Sequence, residues 1–155
     1  MSILRMTSIA ALACLFAAAA GSAQEKKIKR SDLPPGVEKA AAEVSKGATV
    51  KGFSKETENG KTTYEIEMVV NGHTKDVEVD GNGTLIEVEE QVEMDSLSPD
   101  VKAGLAAKAA GGKILKVESL AKNGKLVAYE AKVEIAGKRR EIQVGPDGKP
   151  LDHEE

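Results

Sequence analysis

The chain has 155 residues, with 22 basic and 25 acidic side chains (net charge −3), one cysteine, two tyrosines, two phenylalanines and no tryptophan. That length allows one compact domain or two small ones. The basic excess and stacking aromatics of a nucleic-acid binder are both missing, so nucleic acid is not expected as a partner.

The amino terminus reads as an export signal. Arg5 is the only charge before Glu25, an apolar run extends from Ile9 through Ala20, and Gly21-Ser22-Ala23 supplies small residues, so residues 1–23 are expected to be removed after Ala23. The run is shorter than the ~20 apolar residues of a spanning helix, and no membrane span is expected after signal removal. A rival reading is lipoprotein processing at Cys14, behind Ala11-Leu12-Ala13; Leu15-Phe16 and four alanines carry the apolar run past it. Removal of the signal removes the sole cysteine, leaving no disulfide, thiol nucleophile or thiolate metal site. The expected location is periplasmic or secreted, in a bacterium. Residues 24–30 then read as a linker.

The remainder repeats itself. Leu33-Pro34-Pro35-Gly36-Val37 answers Leu97-Ser98-Pro99-Asp100-Val101 at an offset of 64, and Asn59-Gly60-Lys61 answers Asn123-Gly124-Lys125. After one inserted residue, Tyr64-Glu65 answers Tyr129-Glu130, Gly72 answers Gly137, and Asn82-Gly83 answers Asp147-Gly148. The boundaries implied are residues 31–94 and 95–155. Two copies of about 60 residues do not make a solenoid, so the pattern predicts a duplicated small unit.

Each copy opens with a helix. Ser31 or Asp32, and Ser98, are candidate caps; Pro35 and Pro99 sit in the first turn; Gly47 and Gly111-Gly112 are candidate ends. Val37, Ala40, Ala41 and Val44 recur at helical spacing, as do Val101, Leu105, Ala106 and Ala109. Four strands follow in each copy: Thr49–Lys55, Thr62–Val70, His73–Val79 and Thr84–Glu90, then Lys113–Leu120, Val127–Ile135, Arg139–Val144 and Lys149–His153. Tyr64, Ile66, Met68 and Val70 alternate with Thr63, Glu65 and Glu67, the mark of a sheet with one buried and one wet face. Asn71-Gly72 is a strong hairpin signal and Ala136-Gly137 a weaker one. The fold class expected is α+β: a tandem unit of one helix plus four antiparallel strands, with the helices on one face. The two copies could join edge to edge into one broad sheet whose opposite face is open, polar and curved.

The string Tyr64-Glu65-Ile66-Glu67, Asn71-Gly72, Asp76-Val77-Glu78-Val79-Asp80 and Gly83 with Leu85-Ile86-Glu87 resembles the PepSY-like family, also described as beta-lactamase-inhibitor-like. The second copy matches through Tyr129-Glu130-Ala131-Lys132-Val133, Gly137, Glu141-Ile142-Gln143-Val144 and Asp147-Gly148-Lys149, and departs from the pattern at Arg139-Arg140 and Pro150. The resemblance implies exported bacterial proteins with tandem units of one helix and four strands; most members have no established biochemical role, and the relationship to beta-lactamase inhibitor proteins and peptidase propeptides suggests protein binding or inhibition. It carries over no catalytic residue.

Catalysis finds little support elsewhere. His73 lies in a hairpin and His153 two residues before Glu155, and both read as solvated, so no enzyme activity and no cofactor are expected. Asp80-Gly81-Asn82-Gly83-Thr84 starts like a calcium loop but lacks the distal glutamate, and turn chemistry explains it. Asp152-His153-Glu154-Glu155 reads as an acidic tail rather than a metal site. The remaining candidate is the wet sheet face: Glu65, Glu67, Asp76 and Glu78 from the first copy, and Glu130, Lys132, Glu134, Arg139 and Glu141 from the second. Residues 31–94 carry 6 basic and 14 acidic groups, net −8; residues 95–155 carry 11 and 10, net +1. Such a lopsided molecule could steer a basic partner, a protein or peptide of the cell envelope; the alternative is a periplasmic cation-binding or sensory protein.

Overall fold

A computed structural model describes residues 25–58, 60–153 and 155. The signal segment 1–23, its cleavage site and Cys14 lie outside these residues. In chain order the elements are β1 (Lys26–Ile28), α1 (Pro35–Val44), β2 (Thr49–Glu58), β3 (Lys61–Val70), β4 (His73–Asp80), β5 (Leu85–Gln91), α2 (Pro99–Ala109), β6 (Lys113–Lys122), β7 (Lys125–Ile135) and β8 (Lys138–Val144). Short 3₁₀ turns at Arg30–Asp32 and Met94–Ser96 precede the two helices. The eight strands form one antiparallel sheet in sequence order, and β5 pairs β6 to join the halves.

Two-residue loops set the register of three hairpins. Val70 faces His73 around Asn71-Gly72, Lys122 faces Lys125 around Asn123-Gly124, and Ile135 faces Lys138 around Ala136-Gly137. Both central residues of each loop have positive φ, 52° and 90° at Asn71-Gly72 and 50° and 74° at Ala136-Gly137. That geometry matches the twist of the flanking strands, and asparagine and glycine adopt it most readily.

The helices lie on the same face. Val37 and Ala41 of α1 pack on Phe53, Ile66, Met68, Val77 and Val79. Val101, Leu105 and Ala109 of α2 pack on Val117, Ala131, Val133 and Val144. Val88, which packs with the first group, faces Ala121, which lies four residues beyond Val117 of the second. Side chains two apart share a face, so both clusters sit beneath the same side of the sheet. Small side chains let the helices approach closely: a Cβ on Gly104 would collide with the Gly148 carbonyl, and one on Gly36 with that of Asn82.

The structure corrects four expectations. Residues 26–28 within the expected linker form β1, paired to β2 through Lys26↔Lys55 and Ile28↔Phe53. The expected strand at Lys149–His153 does not form. Helix α1 is preceded by Pro34 and not capped by Ser31 or Asp32; the Asp32 carboxylate instead accepts the Lys29 N–H at 3.1 Å. The helices end earlier than the glycines suggest, at Val44, with Ser45 after it, and at Ala109, followed by Ala110 in the left-handed region. Ser98 caps α2 as expected, its hydroxyl accepting from the Val101 N–H.

Candidate functional site

Register places the acidic positions of β3, β4 and β5 side by side, with Ser54 of β2 beside them, on the face away from the helices. Ser54 faces Glu65, Glu65 faces Glu78 and Glu78 faces Glu87. One row along, Glu67 faces Asp76 and Asp76 faces Glu89. Like charges directly opposite on adjacent strands destabilise a sheet. Here they recur across three strands in two neighbouring rows.

These side chains line a cavity of about 270 Å³ bounded by Glu25, Ser54, Glu56, Thr63, Glu65, Asp76, Glu78, Glu87 and Glu89. Seven of its nine lining residues are carboxylates and the other two are hydroxyls. Burial holds the Glu65 carboxyl above the usual range, against the Ser54 hydroxyl that donates to it at 2.8 Å. Burial and the nearby Glu118 likewise raise Asp76, and burial raises Glu87 against the pull of Lys122. Glu89 is pushed up to about 8, first by burial and then by Glu130, Glu118 and Glu87. The trough therefore concentrates carboxyl groups whose ionisation is suppressed first by burial and then by one another.

The second half of the same face is built differently. Gln91, Glu118, Glu130 and Gln143 form a row across β5 to β8. Glu118 is 1% exposed; Lys116 donates to it at 2.6 Å, and Lys132 lies 3.6 Å from its other oxygen. Gln143 donates to Glu130 at 3.0 Å. Leu120 and Ala128 are fully buried on this face, outside both helix-covered clusters. The expectation of an open face thus fails across β5 to β8, where Lys116 and Lys132 meet the buried Glu118.

All nine candidate residues fall on this face. Glu65, Asp76 and Glu78 line the trough; Glu67 borders it and pairs with Lys27 of β1. Glu130 is buried against Gln143, and Lys132 bridges Glu118 and Glu141, both at 3.6 Å. Glu134 and Arg139 face each other at the exposed end of β7 and β8. Glu25, Glu56, Glu87, Glu89 and Glu118 were not among the candidates. Glu87 and Glu89 carry the signal that marked Glu65 and Glu67, acidic residues alternating with Ile86 and Val88. Two groups bring carboxylate oxygens within 4.8 Å of one another, Glu25-Glu65-Glu67 and Asp76-Glu89-Glu118.

The other motifs resolve into local structure. Asp80 accepts the N–H groups of Asn82 and Thr84, both at 2.8 Å, which lowers its pKa and accounts for the Asp-Gly-Asn-Gly sequence as a turn. His73 is half-buried, with Nδ1 3.4 Å from the Gln91 carbonyl and Nε2 3.8 Å from Glu93. His153 is exposed, 4.0 Å from Glu155.

No family model matches the chain, and no curated protein does. Solved structures do. A DUF2874 family protein from Bacteroides ovatus ATCC 8483 aligns with TM-score 0.59 and 21% identity, covering 78% of this chain and 86% of that one. A candidate periplasmic protein from Bacteroides eggerthii DSM 20697 gives 0.61 and 17%, covering 77% and 86%. A BLIP-like protein from Bacteroides fragilis NCTC 9343 gives 0.55 and 19%, covering 77% and 83%. The chain shares the fold of these proteins. Among the described residues, no helix is long and apolar enough to cross a membrane.

Proposed function

We propose that this is an exported, non-enzymatic binding module that takes a cationic segment of an envelope protein or peptide onto the sheet face away from its helices. The observation that carries this reading is the trough itself, a cavity walled by seven carboxylates and two hydroxyls with no basic side chain among them. An arrangement that costs the sheet stability is retained where it serves recognition. Lysine or arginine side chains entering the trough would relieve the repulsion and restore full ionisation of Glu65, Asp76, Glu87 and Glu89.

Export agrees with the three-part amino terminus and with a neighbour described as periplasmic. A PepSY-like duplication is supported by the matching turns, in which the Gly83 and Gly148 backbones press against the carbonyls of Gly36 and Asp100. Inhibition of an enzyme, by analogy with the BLIP-like neighbour, is the form such binding would take if the partner's own site were covered.

Fluorescence anisotropy with a lysine- and arginine-rich peptide tests the reading. Saturable binding that weakens with salt and is lost in E78Q/E87Q/E89Q is expected. Equal affinity of the variant, or of an acidic peptide, would overturn it. A second reading, a divalent ion held by the trough, is favoured by the convergence of Asp76, Glu89 and Glu118. Glu118 already serves Lys116 and Lys132, which limits what it can offer a metal. Calorimetry with calcium separates the two: heat from the ion, with none from the peptide in its presence, would favour the ion.

A further inference from the structure

The two halves differ at one edge, and the difference leaves β8 with no strand on its outer side; the Glu155 N–H reaches the side-chain oxygen of Gln143 there, at 2.8 Å. The turn after β4 is closed by the Asp80 N–H donating to Thr84 O (2.9 Å) and the Gly83 N–H donating to Asp80 O (2.9 Å). It leads into β5, which pairs with β4. The turn after β8 repeats both bonds, Gly145 N–H to Lys149 O and Gly148 N–H to Gly145 O, each 2.8 Å. There the chains diverge. Pro150 stands where the first half has Leu85, the partner of Val79, and a proline brings no N–H to a ladder. Among the described residues β8 pairs with β7 alone.

The groups on this free edge can be assigned. Alternate residues of a strand address the same edge, so the Gly145 bond marks Gln143, Glu141 and Arg139 as facing outward. The Gln143 carbonyl agrees: it accepts from the Lys108 ammonium of α2 at 2.9 Å, not from a strand. Lys138, Arg139 and Arg140 are exposed, and none forms an ion pair among the described residues.

We propose that the outer edge of β8, from Lys138 to Gln143, is a strand-addition site for an extended acidic segment of a partner polypeptide, with Glu or Asp alternating with Leu, Ile or Val. The molecule contains its own template: β5, Leu-Ile-Glu-Val-Glu-Glu-Gln, fills the corresponding edge of β4 with Glu87 and Glu89 alternating with Ile86 and Val88. In the register that β5 keeps on β4, Glu90, which faces Lys75, would face Arg140; an acidic segment suits a strip on which Lys138, Arg139 and Arg140 outweigh Glu141, and the outward main-chain groups of Arg139 and Glu141 with the Gln143 N–H supply the affinity. A second copy is a poor occupant. The other sheet edge, β1, carries Lys26 and Lys27, so copies meeting there would bring cations together.

The probe is a fluorescent peptide of the β5 sequence with its preceding residue, Thr-Leu-Ile-Glu-Val-Glu-Glu-Gln, titrated into the purified protein. Saturable binding is expected, weakened about tenfold by R139E/R140E and by E141P, which removes one outward N–H while sparing the β7 ladder. E78K in the trough should leave it unchanged, so this result stands or falls apart from the trough reading. Absence of saturation by about 1 mM peptide, or unaltered binding by R139E/R140E, overturns the proposal. Should E141P lose its native circular dichroism, the charge reversal decides. Self-association of the protein abolished by R139E/R140E would assign the edge to a second copy and also overturn it.

Discussion

Glu78 and Glu87 stand directly opposite each other on adjacent strands, with Glu65 on the far side of Glu78 making a third carboxylate in the row. No basic side chain lines the cavity they share. The arrangement sets stability against the proposed recognition at identified positions.

Replacing the middle member should expose that opposition. E78K places an ammonium between Glu65 and Glu87, turning two repulsive cross-strand pairs into attractive ones. Each such pair contributes roughly 0.2–1 kcal/mol, so a rise in unfolding free energy of about 1 kcal/mol is expected in urea melts. The same variant should lose binding of the cationic peptide. A variant both less stable and binding-competent would contradict the account.

Stability should fall as pH rises from about 5 to 8. Glu89 has its folded pKa pushed up to about 8 from an ordinary carboxylate value of 4.5. The folded state therefore holds a proton that the unfolded chain has released, and the benefit, complete below the unfolded value, is lost as pH climbs through the folded one. Glu65, Asp76, Glu87 and Glu130 shift in the same direction. E89Q should flatten the pH dependence of the thermal midpoint and raise it at pH 8, measured with chelator present. Cationic peptide binding should strengthen over the same rise in pH.

Glu118 supports the junction of the halves. Its removal would leave Lys116 and Lys132, which face each other across β6 and β7, without their shared anion. E118Q is expected to cost about 2 kcal/mol, less than a fully buried pair because Lys132 reaches water. Combining it with K116M should recover part of the loss, a non-additivity readable in a double-mutant cycle.

Ala136 occupies the left-handed region at φ 50°, where the first half has Asn71 at φ 52°. Alanine tolerates that region poorly, at a cost of roughly 1–2 kcal/mol. A136N should raise the thermal midpoint by a few degrees without altering peptide binding. A lower midpoint would mean the hairpin gains nothing from the residue its counterpart uses.

Much of this fold was legible because alternation is a local property. Tyr64-Glu65-Ile66-Glu67 and Tyr129-Glu130-Ala131-Lys132 each specify a strand and its buried side, and Asn71-Gly72 specifies the hairpin between β3 and β4. Lys26-Lys27-Ile28 was not legible: three residues show no period, and the free edge of β2 makes them a strand. The trough was half legible. Glu65, Asp76 and Glu78 lie on neighbouring hairpin strands, whereas the approach of Glu118 to Asp76 and Glu89 depends on β5 pairing β6 across the intervening α2. Lys116 and Lys132 closing over Glu118 is a tertiary event with no signature in either strand alone.

The interior oil comes in two separate parcels, one beneath each helix, joined through a single ladder between β5 and β6. A packing defect such as V37A or L105A would accordingly be expected to soften its own parcel first. Each half can then absorb a change in packing on its own account, while the shared ribbon keeps them in one piece.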